Sequence, residues 1–317
     1  MRASRSSRSG QLSAHLMLIG VVLVWGATFP VVKAALAYAT PLAFNLVRMA
    51  IATVVLAALN HKSLRGLFTV EGRPALAFGL AAGIFMALGY QLQTVGLKYT
   101  TPSKSGFITG LVVVLVPLLS AVPGIAHAGD PRPGWAAFAG AGLGFAGLVL
   151  LTTPVGSGAD VLRGLGIGEW LTLGCAVAFA LHLLTLARAA AHVGARLLGT
   201  LQVGFCTLVM LVTLPLGGRP ALHMNLIVAG ALAITALLGT AVAFTVQSYA
   251  QQHLPPTHTA LILTLEPVFA WLTSLLFLGE RLGRRSLAGA ALILAGILLA
   301  ELGPKMPPEQ ANFAANP

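Results

Sequence analysis

The chain has 317 residues, 57% of them hydrophobic and 9% charged, with a mean hydropathy of +0.88 and a formal net charge of +11. Soluble domains are about 25% charged, so water is the wrong solvent for most of this surface, and a soluble enzyme is excluded. The basic excess calls for no nucleic-acid partner, because the basic residues fall almost wholly in tails and in connections between apolar runs.

Residues 1–12 are Arg/Ser-rich and cannot bury a core. Apolar runs bounded by Pro, Gly and charge then predict helices over residues 16–36, 41–59, 75–97, 105–122 and 135–151. Five more follow over 167–187, 197–216, 226–250, 259–278 and 286–302, before a Pro-rich polar tail, 303–317. A run near 20 residues spans roughly 30 Å at about 1.5 Å per residue, enough to cross a bilayer once. The runs are continuous rather than alternating, so helices and not barrel strands satisfy the backbone in hydrocarbon. The expected fold class is an all-α integral membrane protein with ten transmembrane helices.

Shifting the sequence by 154 residues against itself exposes a repeat. Gly20 meets Gly174, Trp25 meets Phe179, Gly26 meets Ala180, Gln93 meets Gln247, Pro102 meets Pro256 and Ile108 meets Ile262. In the fifth helix the offset drops to 149, where Ala139-Gly140 meets Ala288-Gly289 and Ala146-Gly147 meets Ala295-Gly296. The chain therefore divides into a tail (1–15), a first five-helix repeat (16–152), a linker (153–166), a second repeat (167–302) and a second tail (303–317). Three arginines ahead of the first run and the Ala37-Tyr38-Ala39 triplet have the look of a signal peptide. A disposable segment should have no counterpart deep in the chain, so the first run is read as a retained helix. An odd number of helices per repeat makes the second copy enter the bilayer from the opposite face. Such inverted halves are a transporter device, because a site between them can open to either side.

These residues resemble the EamA branch of the drug/metabolite transporter superfamily over roughly residues 16–302. The resemblance rests on Trp25-Gly26-Ala27-Thr28-Phe29-Pro30 with Arg48, and on Gly106-Phe107-Ile108-Thr109-Gly110-Leu111 leading into Val116-Pro117-Leu118. In the second copy it runs through Ala250-Gln251, Leu265-Glu266-Pro267-Val268, Gly279-Glu280-Arg281 and Gly289-Ala290-Ala291-Leu292-Ile293. It implies a bacterial inner-membrane carrier, both termini cytoplasmic, that exports amino acids, other small metabolites or drugs. Val112-Val113 stands where the offset places the partners of Glu266-Pro267, so the halves are chemically unequal.

Ionisable groups inside apolar runs are costly and tend to face a cavity or pair with each other. Arg48 and Glu266 each lie about 10 Å from the start of their helices, near the midplane. They read as a site charge or gating pair, against a purely structural pair or a snorkelling arginine. Thr259 and Thr273 lie seven residues either side of Glu266 and share its face. Thr240, Gln247 and Gln251 form a second stripe, with Tyr90 and Gln93 at or near its mirror positions; interhelical hydrogen bonding is the alternative. Trp25 and Thr28 pair by offset with Phe179 and His182, an aromatic and polar lining or plain packing. Glu169, Glu280, Lys98 and Lys104 lie near helix ends and report topology. Cys175 and Cys206 lack metal-ligand spacing and read as packing residues.

The reading is a secondary transporter of a small-molecule solute, embedded in the lipid bilayer, working by alternating access. Proton coupling through Glu266 or His182 and uncoupled facilitated movement both stay open. No cofactor is expected: a nucleotide-binding motif, a His-Glu-x-x-His pair and a Gly-x-Ser-x-Gly elbow are all missing from the sequence. Those absences weigh against the rival class, an intramembrane lipid-modifying enzyme; a non-transporting scaffold is the third. In the first half seven Lys/Arg fall on the side of the N-terminus, through Arg132, against Lys33, Lys98 and Lys104 on the other. That bias predicts both termini cytoplasmic.

Overall fold

The computed structural model describes residues 8–68, 72–123, 125, 134–152, 165–189, 192–253 and 262–303. The first half comprises α1 (Arg8–Ala35), α2 (Pro41–Leu59), α3 (Gly72–Tyr99), α4 (Pro102–Gly110), α5 (Val112–Ser120) and α6 (Trp135–Thr152). The second comprises α7 (Ile167–Ala189), α8 (Ala195–Thr213), α9 (Leu226–Ala233), a π-helical segment (Ile234–Val242), α10 (Ala243–His253), α11 (Glu266–Leu278) and α12 (Arg284–Leu302). Among the described residues eight helices are long and apolar enough to cross a membrane; α11 is apolar but has 13 residues. Large apolar side chains such as Val212, Leu226 and Leu276 stand exposed on the outside, as a hydrocarbon solvent allows.

Two expected helices are not continuous. The fourth breaks at Gly110 and Leu111 into α4 and α5, and in the second half a turn at Thr264 and Leu265 precedes α11. Val112 and Glu266, which begin α5 and α11, are themselves separated by 154 residues. Pro267 explains the second break, since it lacks an N–H and its ring clashes with the carbonyl four residues back. The two breaks adjoin: a Cβ added at Gly110 would meet Pro267 Cγ at 3.3 Å, and one at Gly106 would meet the Ala270 Cβ at 2.6 Å. The expected helix over 226–250 is widened in its middle, where Thr235 Oγ1 donates to Ala231 O at 2.7 Å and Thr240 Oγ1 to Thr235 O at 2.9 Å. A π segment of this kind leaves carbonyls free for other partners.

Packing follows the offset. α1 lies on α10, the π segment and α11, while α7, its counterpart, lies on α3, α4 and α5. α6 and α12 cross through glycines. A Cβ at Gly140 would meet Gly296 O at 2.5 Å and one at Gly147 would meet Gly289 O at 2.5 Å, so each glycine faces the repeat partner of the other. Thr53 Oγ1 and Thr207 Oγ1, 154 residues apart, are hydrogen-bonded at 2.8 Å between α2 and α8. Self-pairing of equivalent residues is the mark of a two-fold relation.

One end of the bundle is tied by charge. Lys33 Nζ donates to the carbonyls of Leu97, Lys98 and Thr100 at 2.6, 3.2 and 2.9 Å, which caps the C-terminus of α3. Glu280 accepts from Ser103 N at 3.2 Å, in the first turn of α4, and from Ser274 Oγ. Glu169 accepts from Thr100 Oγ1 at 2.7 Å and faces Lys104 Nζ at 3.7 Å. Cys175 and Cys206 are buried and unbonded to each other.

Candidate functional site

Where the two halves meet they enclose a cavity of about 110 Å³, room for several waters or one small solute. Its wall has seven pairs of residues at the 154 offset: Trp25 with Phe179, Thr28 with His182, Phe29 with Leu183, Tyr90 with Phe244, Gln93 with Gln247, Thr109 with Leu263 and Val112 with Glu266. Arg48, Gly110 and Val113 complete it. Of the residues singled out from sequence, Trp25, Thr28, Arg48, Tyr90, Gln93, His182, Gln247 and Glu266 all line this space.

Thr240 and Thr273 lie elsewhere. Thr240 is buried behind the wall, where it binds Arg48. Thr273 Oγ1 donates to Phe269 O at 2.6 Å, with Gly26 O at 3.4 Å, in the interface between α1 and α11. Thr259 lies outside the described residues. Arg48 and Glu266 share the cavity, but among the described residues no ion pair joins them.

Arg48 is 3% exposed and held in place by two neighbours. Its Nε and Nη2 each donate to Thr240 Oγ1 at 3.3 Å, and its guanidinium carbon sits 4.4 Å from the centroid of the Tyr90 ring. A guanidinium over an aromatic face is attracted by the ring quadrupole. Asn45 fixes the helix beneath Tyr90, donating to its carbonyl at 3.0 Å and accepting from Thr94 Oγ1 at 3.1 Å. The π segment holds the opposite wall: Trp25 Nε1 donates to Gly239 O at 2.8 Å, and a Cβ at Gly239 would sit 3.3 Å from Thr28 Cγ2 and 3.8 Å from Arg48 Nη2.

In the second half the equivalent groups satisfy each other. His182 Nε2 lies 2.7 Å from Gln202 Oε1, the ring nitrogen donating, and Gln202 is the offset partner of Arg48. The aromatic contacts also repeat. Trp25 and Phe244 have ring centroids 6.2 Å apart, and their counterparts Phe179 and Tyr90 lie edge to face at 5.1 Å. Sequence reasoning left out Phe29, Thr109, Leu183, Phe244 and Leu263. Applying the offset to Tyr90 reaches Phe244, and applying it to Arg48 reaches Gln202.

The symmetry fails at two positions. Gln93 Nε2 donates to Thr109 Oγ1 at 3.3 Å, but Leu263 replaces the threonine in the second copy, and Gln247 has no side-chain partner among the described residues. Glu266 stands where the first copy has Val112. It opens α11, and no described side chain bonds it or pairs with it.

The family described as "EamA-like transporter family" matches residues 12–153 and 166–302. An "Uncharacterized transporter" of Archaeoglobus fulgidus is 34% identical over 292 residues, covering 92% of this chain and 87% of that protein. The "Uncharacterized transporter YvbV" of Bacillus subtilis is 29% identical over 293 residues, 90% of each chain. A solved structure described as "Crystal structure of protein" shares the fold, with a TM-score of 0.61 at 22% identity over 93% of this chain and 98% of that one.

Proposed function

The chain belongs to the EamA-like transporter family, and from that premise we propose that it is a secondary carrier moving a small organic solute through the cavity between its halves by alternating access. It is a multi-pass membrane protein with transporter relatives. The finer reading is ten spans as two inverted five-helix repeats, 16–152 and 167–302, joined by a linker, 153–166. Both tails, 1–15 and 303–317, face the cytoplasm of a bacterial inner membrane, and transport runs outward.

One observation supports this above the others: fourteen of the seventeen cavity residues form pairs at a single repeat offset. A wall built of equivalent positions can exchange the roles of its two halves, and that exchange opens one site to alternate faces. Broken helices at the cavity are the usual way carriers bring backbone and helix ends to a solute.

The test is a metabolite profile of medium from cells over- and under-expressing the chain, followed by counterflow of the enriched solutes in proteoliposomes. A solute that accumulates outside and exchanges across the liposome membrane is the expected result. Glu266→Gln, at matched membrane abundance, should lower that flux strongly. Equal flux in the two proteins would remove Glu266 from the mechanism, and no exchange with any enriched solute would remove the carrier reading. Any proton coupling through Glu266 would appear as a pH dependence of flux that the glutamine variant lacks.

A further inference from the structure

The polar groups of the cavity divide into those the protein already uses and those it leaves over. Arg48 donates Nε and Nη2 to Thr240 and lies over Tyr90, His182 bonds Gln202, and Gln93 donates to Thr109. The Glu266 carboxylate and the Gln247 amide, both from the second half and both lining the same space, have no such side-chain partner among the described residues. Gln247 is 6% exposed, and what exposure it has is to the cavity, where its amide is open to a solute. Glu266 sits in the first turn of a 13-residue helix, where the aligned peptide dipoles favour a negative charge. Among the described residues no cation lies within 4 Å of it.

From this asymmetry between the repeats, and resting on the carrier reading above, we infer that the cavity takes a solute bearing an organic ammonium group, seated on Glu266 with an aromatic or aliphatic body against Trp25 and Phe244. The chemistry is consistent at each contact. The carboxylate neutralises the ammonium, Gln247 offers its amide oxygen, and the ring faces add the attraction that aromatic cages exert on alkylammonium ions. Leu263 and Val113 close the wall with apolar surface and offer nothing to a second charged group. Arg48 gives Nε and Nη2 to Thr240 and lies over the Tyr90 ring, so the seat for the ammonium does not call on it.

Equilibrium binding to the purified full-length protein in detergent, followed by intrinsic tryptophan fluorescence, tests this. The probes are benzyltrimethylammonium, its uncharged carbon isostere neopentylbenzene, benzoate, and the trimethylammonium derivative of phenylalanine with its methyl ester. The ammonium should bind at least tenfold tighter than the carbon isostere or benzoate, and the phenylalanine derivative no tighter than its ester. Glu266→Asp should keep the ammonium preference and Glu266→Gln should abolish it, while Gln247→Leu should weaken ammonium binding several-fold. Equal binding of the isostere or benzoate to the wild type overturns the inference, as does a preference that survives Glu266→Gln. A free acid that binds tenfold tighter than its ester also overturns it, by making Arg48 a solute ligand. Flux of some other solute without ammonium preference leaves the carrier and removes this site, whereas ammonium binding without any flux supports the site and removes the carrier.

Discussion

Replacing Gly289 by alanine tests the crossing of α6 and α12. The added Cβ would lie 2.5 Å from Leu151 N and 2.6 Å from Gly147 O, both backbone atoms with no rotamer to yield. That is about 1 Å inside the ~3.5 Å optimum of carbon contacts, so the two helices have to part along the crossing. Overpacking of this size costs about 1–3 kcal/mol. Gly147→Ala meets Gly289 O at 2.5 Å and should cost a similar amount. The double variant should cost less than the sum, since helices already parted accept the second methyl. Gly142, on the same helix, has nothing within 4 Å of its would-be Cβ. Gly142→Ala should therefore be neutral or stabilising by up to about 1 kcal/mol through helix propensity. Thermal unfolding in detergent, read by tryptophan fluorescence, compares the four proteins. If Gly289→Ala melts with Gly142→Ala, the reciprocal glycine crossing is refuted, and with it the two-fold pairing of the fifth and tenth expected helices.

Thr240→Val keeps the shape but removes the oxygen that accepts from Arg48, and should destabilise the protein by about 1–3 kcal/mol in the same assay. Thr240→Ser should stay near wild type. Glu280→Ala leaves Ser103 N and Ser274 Oγ without their acceptor and should cost about 1–3 kcal/mol, whereas loss of Glu280 with no change in melting would make that end tie a surface contact only. Reporter fusions at residue 317 and in the loop near Lys62 should both read cytoplasmic, and a periplasmic signal from either contradicts the ten-span topology.

Much of the site was legible because the repeat is. The 154 offset, read from Gly20 to Ile108, joins Trp25 to Phe179 and Gln93 to Gln247, and these positions line one cavity. Apolar members of the wall carry no signal of their own: applying the offset to Glu266 reaches Val112, but Leu263 pairs with Thr109, which was not itself singled out. Thr273 shows a different limit. Seven residues from Glu266 keeps it on one helical face but about 10 Å further along the axis, and at that level α1 has closed against α11, where Thr273 donates to Phe269 O and faces Gly26 O instead of a cavity. The π segment was not legible either. Its sequence, Ile234–Val242, reads as ordinary apolar helix, and the groups that bond it, Trp25 to Gly239 O and Arg48 to Thr240 Oγ1, are distant in sequence.

Solvent access to one equivalent pair of wall positions, from each side of the membrane, bears most directly on the central claim. Trp25→Cys and Phe179→Cys are each introduced after Cys175 and Cys206 are replaced, in vesicles of known orientation. Membrane-impermeant thiol reagents are then added outside or inside. Alternating access through a shared cavity predicts that both positions react with reagent from either side, and that an exchanged solute slows both reactions together. Failure of both to react from either side, while cysteines placed in loops do react, would contradict the shared cavity. Reaction from one side alone, with or without solute, would contradict alternating access.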